Sequence, residues 1–255
     1  MSKTLCDWAV EILSTADPAL KVSETAGAAA AWRRGEMELG RAQPPDRPAR
    51  PDKPEIHAPR DMPRRSTGPK GRIALVHALA HIELAAIDLA WDIIARFPSL
   101  PRAFYDDWVG VALEEAEHHD ALARRLTELG AAYGELPAHD GLWAAASRTA
   151  DDLAARLAVV PMTLEARGLD TTPQTVEKLR AAGDESTAAI LDVIFRDEIK
   201  HLAVGIRWFE HLCSNPHTAY KMLIDERFPG GLKPPFNMAA RAQAGMGEGY
   251  LSPWL

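Results

Sequence analysis

Two glutamate-histidine steps constrain this chain more than any other feature: "EAEH" (Glu115, His118) and "EIKH" (Glu198, His201), each preceded by a lone glutamate at matched distance. Glu115 lies 32 residues after Glu83 and Glu198 lies 33 after Glu165, so the set repeats at an offset of 82 or 83 residues. With 18 glutamates and 9 histidines in 255 positions, roughly 0.6 such steps arise by chance. The two steps alone are therefore only suggestive, and the repeated register is what gives them weight. Residues three apart on a helix point about 60° apart, so a carboxylate and an imidazole at that spacing can converge on one cation.

The surrounding sequence puts these residues on helices. From Ile73 onward apolar residues recur at helical spacing, with turn signals at 97–101, 130–137, 168–173 and 183. Four long helices are predicted, at about 72–96, 102–129, 141–167 and 184–213. A short helix between the last two is opened by Thr172 and Pro173 and closed by Gly183, and Asp184 caps the fourth long helix. No stretch alternates like a strand, so the class is all-α.

Helical wheels place the six residues among apolar neighbours. Glu83 shares its face with Val76, Leu79, Ala80, Ile87 and Ala90, while His77, His81, Asp88 and Asp92 gather on the other side. Glu115 and His118 lie with Trp108, Val111, Leu122 and Leu126; Glu198 and His201 lie with Leu191, Ile194, Leu202, Gly205 and Phe209. Burying an unpaired carboxylate costs on the order of several kcal/mol, so four of them call for compensating cations. One Glu from each of two helices and a Glu-x-x-His from each of two others is the inward-facing ligand set of ferritin-like di-metal four-helix bundles. Glu114 and Asp197, each four residues before a histidine, are spaced to accept the proton on the imidazole's other nitrogen. His77 and His81 are read as packing or hydrogen-bonding residues, His119 as a neighbour of the site rather than a ligand, His139 as a loop or capping residue, and Pro161 as a kink one turn before Glu165.

Outside the bundle, residues 1–40 read as a helical N-terminal arm broken near Asp17 and Pro18. Residues 41–71 form a proline-rich, basic strap, the bundle itself spans 72–213, and 214–255 is an irregular tail packed on it. The net charge of −7 argues against a dedicated nucleic-acid coat, although the basic strap leaves a local contact open. Cys6 and Cys213 stand far apart with no CxxC spacing, so neither a disulfide framework nor a cysteine zinc site is expected. Asp7 and Glu11 interrupt the N-terminus where a secretory signal needs its apolar core, and no uncharged apolar run reaches bilayer-spanning length. A cytoplasmic protein without a membrane span is the expectation.

Several segments together, "HALAHIELAAIDLAWD", "DDWVGVALEEAEHHDAL", "YGELPAHDGLW", "LEARGLDTTP", "FRDEIKHLAVGIRWF" and "PPFNMAARAQAG", resemble the bacterial ferritin-like family known as domain of unknown function 455. The resemblance implies a ferritin-like bundle with a carboxylate-bridged di-metal centre, and it implies no particular reaction. A more distant likeness is to the ferritin-like tRNA hydroxylases, which use a similar ligand set.

Four carboxylates and two imidazoles without thiolate suit iron foremost, with manganese as the alternative. The expected activity is a non-haem di-iron oxidoreductase in which Glu83, Glu115 and His118 hold one ion and Glu165, Glu198 and His201 the other. It would activate dioxygen to oxidise a small organic substrate, with electrons from an external donor. The rival readings are ferroxidase, iron-handling or peroxide-detoxifying activity, and a non-catalytic interaction protein braced by its metals.

Overall fold

Thr4 starts the first helix. Its hydroxyl accepts from the Asp7 backbone N–H at 3.2 Å while Asp7 accepts from the Thr4 backbone N–H at 3.0 Å, a reciprocal cap. The computed structural model describes residues 3–255, which are all-α, with no strand among them beyond one isolated bridge. The chain forms two compact units, one ending at Trp143 and one running from Ala144 to Leu255.

In the first unit, α1 (Leu5–Ser14) and α2 (Pro18–Arg33) make the helical arm, separated where expected by Asp17 capping a helix that opens on Pro18. Two long helices follow, α3 (Pro69–Arg96) and α4 (Arg102–Glu128), packed as a hairpin, with α1 against α3 and α2 against α4. Between arm and hairpin the prolines hold the chain extended except for one 3-10 turn at Pro59–Asp61. Backbone bonds tie this strap down: Ala49 N–H to Leu13 O at 2.7 Å, and His57 N–H to Ala138 O at 2.8 Å.

The wheel places Asp88 and Asp92 on a face away from the apolar stripe, yet α3 is buried around most of its circumference. Each acid survives there by pairing. Lys21 Nζ and Arg50 Nη1 each donate to one oxygen of Asp88, and Arg96 grips Asp92 through Nε and Nη2. By length and composition α3 could cross a membrane, but 72% of its most apolar window is buried inside the protein, as in a core helix.

The second unit departs from the expected boundaries. The segment predicted as one helix over 141–167 breaks after α5 (Gly141–Ser147), whose last carbonyls are covered by the Thr149 hydroxyl (to Ala145 O and Ala146 O) and by buried Arg156 (Nη2 to Ala146 O, 2.7 Å). Asp152 then caps α6 (Leu153–Val159), which runs through a π-helical turn, Val160–Glu165, directly into α7 (Ala166–Ala181). The break expected at 168–173 does not occur, and Pro173 sits inside α7. Having no N–H, Pro173 cannot serve the Leu169 carbonyl four residues back. The Asn237 side-chain amide donates to that carbonyl instead, at 3.1 Å.

Gly183 closes α7 in the left-handed region (φ +77), and Asp184 caps α8 (Glu185–Leu212) by accepting from the Thr187 N–H, both as the sequence indicates. The tail is more regular than expected: α9 (Pro216–Arg227), α10 (Met238–Gln243) and α11 (Glu248–Leu251) bury Tyr220, Ile224, Ala240, Tyr250 and Leu251. Single apolar anchors on short helices leave too little periodicity to be seen among the Gly and Pro residues.

If Asn237 substitutes for the donor that Pro173 lacks, the two positions are coupled. Asn237→Ala removes this bond and the cap of α10, at a cost of about 1–3 kcal/mol. In a Pro173→Ala background part of that cost disappears. A double-mutant cycle by urea denaturation measures the coupling; strictly additive costs contradict it.

Candidate metal centre

In the first unit, α3 and α4 bring Glu83, Glu115 and His118 together, buried to 3%, 1% and 3% exposure. One ligand atom from each lies within 4.8 Å of the others. His118 Nδ1 stands 3.4 Å from Glu83 Oε2 and 3.4 Å from Glu115 Oε2. Glu83 Oε2 is fully buried yet receives no hydrogen bond. A buried carboxylate oxygen facing an imidazole and a second carboxylate, with no well-aligned donor, is an arrangement that a cation would complete.

The electrostatics agree. Burial first, and the Glu115 charge second, push the Glu83 carboxyl well above the ordinary carboxylate range. Burial alone would lower His118, but Glu115 and Glu83, both 3.4 Å from its Nδ1, overcome it and hold the imidazole far above its usual value. Without metal, a proton on His118 therefore takes the place of the missing positive charge.

In the second unit the same three-residue step recurs on α8, where His201 Nδ1 lies 3.8 Å from Glu198 Oε2. His201 is buried, whereas Glu198 and Glu165 are half-buried. Glu165 is the last residue of the π-helical turn. That turn is shaped by Pro161, by the Thr163 hydroxyl, which donates to Ala158 O at 2.8 Å, and by the Tyr220 hydroxyl, which donates to Met162 O. Such turns replace the regular i→i−4 ladder and re-aim the side chains at their ends. Gly205, one turn beyond His201, lets α8 approach this turn, because a Cβ there would sit 3.0 Å from the Pro161 side chain. Of the two acids spaced to support the imidazoles, Asp197 accepts from Lys200 Nζ at 2.6 Å and Glu114 is half-buried.

The other histidines take the packing and hydrogen-bonding parts expected of them. His77 accepts from the Gly134 N–H, His81 Nδ1 bonds the Tyr133 hydroxyl at 2.8 Å, and His119 donates to Ala80 O at 2.8 Å. His139 accepts from the Gly141 N–H at the start of α5. Tyr133, stacked on His77 and His81, was not legible as a partner because it lies in a loop about fifty residues from them. Both thiols lie apart from these clusters: Cys6 faces the Gly40 and Ile94 carbonyls, and Cys213 caps α8.

Residues 14–252 match the family described as "Protein of unknown function (DUF455)". The chain belongs to this family. A relative from Haemophilus influenzae, described as an uncharacterized protein, is 44% identical over 170 residues, covering 64% of this chain. The chain spans 59% of that relative's length. No solved structure matches.

Two outcomes test the centre. Both raised groups bind more protons folded than unfolded above their ordinary values of 4.5 (Glu83) and 6.5 (His118). Stability of the metal-free protein is thus fullest at low pH in this window and falls as pH rises through the raised values. Glu83→Gln should raise the metal-free melting temperature by about 2–4 °C at pH 8 while weakening divalent-metal binding by about 10- to 100-fold; unchanged metal affinity rules Glu83 out as a ligand. Gly205→Val, which touches no ligand, should displace the π-helical turn at a cost of about 1–3 kcal/mol and weaken metal binding; an unaltered metal isotherm would show that the approach of α8 is irrelevant to Glu165.

Proposed function

We propose that this chain is a ferritin-like, non-haem di-metal carboxylate oxidoreductase, with iron as the first-choice metal and manganese as the alternative. Glu83, Glu115 and His118 would hold one ion, and Glu165, Glu198 and His201 a second. The observation that carries this reading is the buried Glu83–Glu115–His118 cluster, whose charge balance without metal relies on a proton held on His118. The donor set of carboxylates and imidazoles, with neither thiol taking part, supports a hard-to-borderline divalent ion. The α3–α4 hairpin and the α6–α8 segment, each carrying a glutamate followed by a Glu-x-x-His helix, are the two halves that such a bundle needs.

A pair of redox-active ions would supply the electrons that activate dioxygen for oxidation of an organic substrate, with an external donor restoring them. The chain's part is electrostatic and steric. His118 must release its Nδ1 proton before that nitrogen can donate to an ion, so metal binding expels protons. Glu83 and Glu115 then hold their negative charge against the ion rather than against each other. Glu83 and Glu115, at 3% and 1% exposure, are held away from water.

Anaerobic loading with Fe(II) followed by oxygen tests the proposal. About two ions bind per chain, and His118→Ala and His201→Ala each remove about one. Oxidation then stops at a stoichiometric amount without an organic substrate. Continued ferrous oxidation with growing ferric mineral supports iron handling instead, and bound iron inert to oxygen supports a purely bracing role.

A further inference from the structure

Within the second unit, Thr163 and Leu164 of the π-helical turn line a cavity of about 270 Å3, completed by the 228–236 loop and by Arg167 and Arg241. That is small among ligand sites but sufficient for a compact organic molecule. Much of the wall is apolar, with Leu164, Phe228 and Phe236 among its residues.

The charged residues lining it all carry the same sign. Arg167, Lys233 and Arg241 are present and no acid is, among the described residues. Behind the wall, a single buried carboxylate, Asp170, serves both guanidiniums: Arg241 grips it through Nε at 2.8 Å and Nη2 at 2.7 Å, and Arg167 Nη1 reaches it at 3.1 Å. Lys233 has no ion-pair partner among the described residues. Three cations against one carboxylate leave two positive charges without a counter-charge. Arg241 is only 1% exposed, and the one acceptor for its Nη1 is the weak thioether of Met246 at 3.1 Å.

The cavity is also built rather than incidental. Arg167 Nη1 holds the Lys233 and Pro235 carbonyls at 3.0 and 2.9 Å, fixing the loop that carries Lys233 and Phe236. At Gly231, in the left-handed region, a side chain would begin 2.7 Å from Trp254 Nε1, so the loop can lie flat on the C-terminal turn only with glycine there. Two wall residues, Leu164 and Arg167, flank Glu165 in the chain.

We infer that this cavity binds a small amphipathic monocarboxylate, with its aromatic or branched aliphatic body against Leu164, Phe228 and Phe236 and its carboxylate toward Arg167 and Lys233. Planar guanidinium favours a planar carboxylate, and the apolar walls disfavour a fully hydrated dianion such as phosphate. The ligand's chemistry names the substrate class of the proposed oxidoreductase. That last step rests on the oxidoreductase reading, whereas the binding itself does not.

The test is calorimetric titration of the full chain with 3-phenylpropanoate, 3-phenylpropanamide and inorganic phosphate. The acid is expected to bind one to one, with the amide and phosphate at least tenfold weaker. Lys233→Glu, at an exposed position whose side chain has no ion-pair partner among the described residues, should weaken the acid about tenfold and leave the amide unchanged; Phe236→Ala should weaken acid and amide together. Equal binding of acid and amide, tighter binding of phosphate, or an acid affinity untouched by Lys233→Glu overturns the assignment. Iron content of the same samples separates the two claims. Acid binding to a chain that takes up no iron upholds the cavity and overturns its substrate role, and an iron-loaded chain that ignores the acid overturns the cavity alone.

Discussion

A carboxylate can sit in a dry interior only if something positive meets it, and this constraint orders most of the first unit. Asp88 is met by Lys21 from α2 and Arg50 from the strap, and Asp92 by Arg96 from its own helix. These pairs are internal to the protein and draw arm and strap onto α3. Glu83 and Glu115 differ. Across from them is an imidazole, whose charge depends on a proton, and a buried carboxylate oxygen there receives no hydrogen bond. α3 thus carries two buried acids met by cations encoded in the chain, Asp88 and Asp92, and one, Glu83, that faces an imidazole and a second carboxylate instead.

A related economy governs the second unit, where the groups at risk are carbonyls rather than carboxylates. Pro173 strands the Leu169 carbonyl and Asn237 serves it. The end of α5 leaves carbonyls that Thr149 and Arg156 cover. At the π-helical turn, side-chain hydroxyls from Thr163 and Tyr220 occupy backbone acceptors. Each repair lets the backbone hold an irregular shape, and the last does so at a functional candidate, since the turn ends on Glu165 and its Thr163 and Leu164 line the cationic cavity.

The all-α class and the approximate ends of α3, α4 and α8 were legible because they depend on local signals: apolar periodicity, the turn residues at 97–101 and 130–137, and Asp184 as a cap. The convergence of Glu83, Glu115 and His118 was legible for a similar reason, since helical spacing alone sets which side chains share a face. The third helix was misjudged because 168–173 reads as a turn with Pro173 opening a new helix, whereas Asn237, which serves the carbonyl that Pro173 strands, lies 64 positions away where no local pattern reveals it. The burial of Asp88 and Asp92 was hidden likewise, because a wheel records which face a residue occupies but not the lysine or arginine brought there by another segment. The cationic cavity left no trace in the sequence, being assembled from a helix turn and a Gly-Pro loop some sixty residues apart.

The most direct measurement is anomalous diffraction at the iron edge from crystals of the iron-loaded protein. The account predicts two anomalous peaks, one in contact with Glu83, Glu115 and His118, the other with Glu165, Glu198 and His201. Iron bound elsewhere, or a fully loaded protein in which Glu83 and Glu115 contact only protein and water, would contradict it.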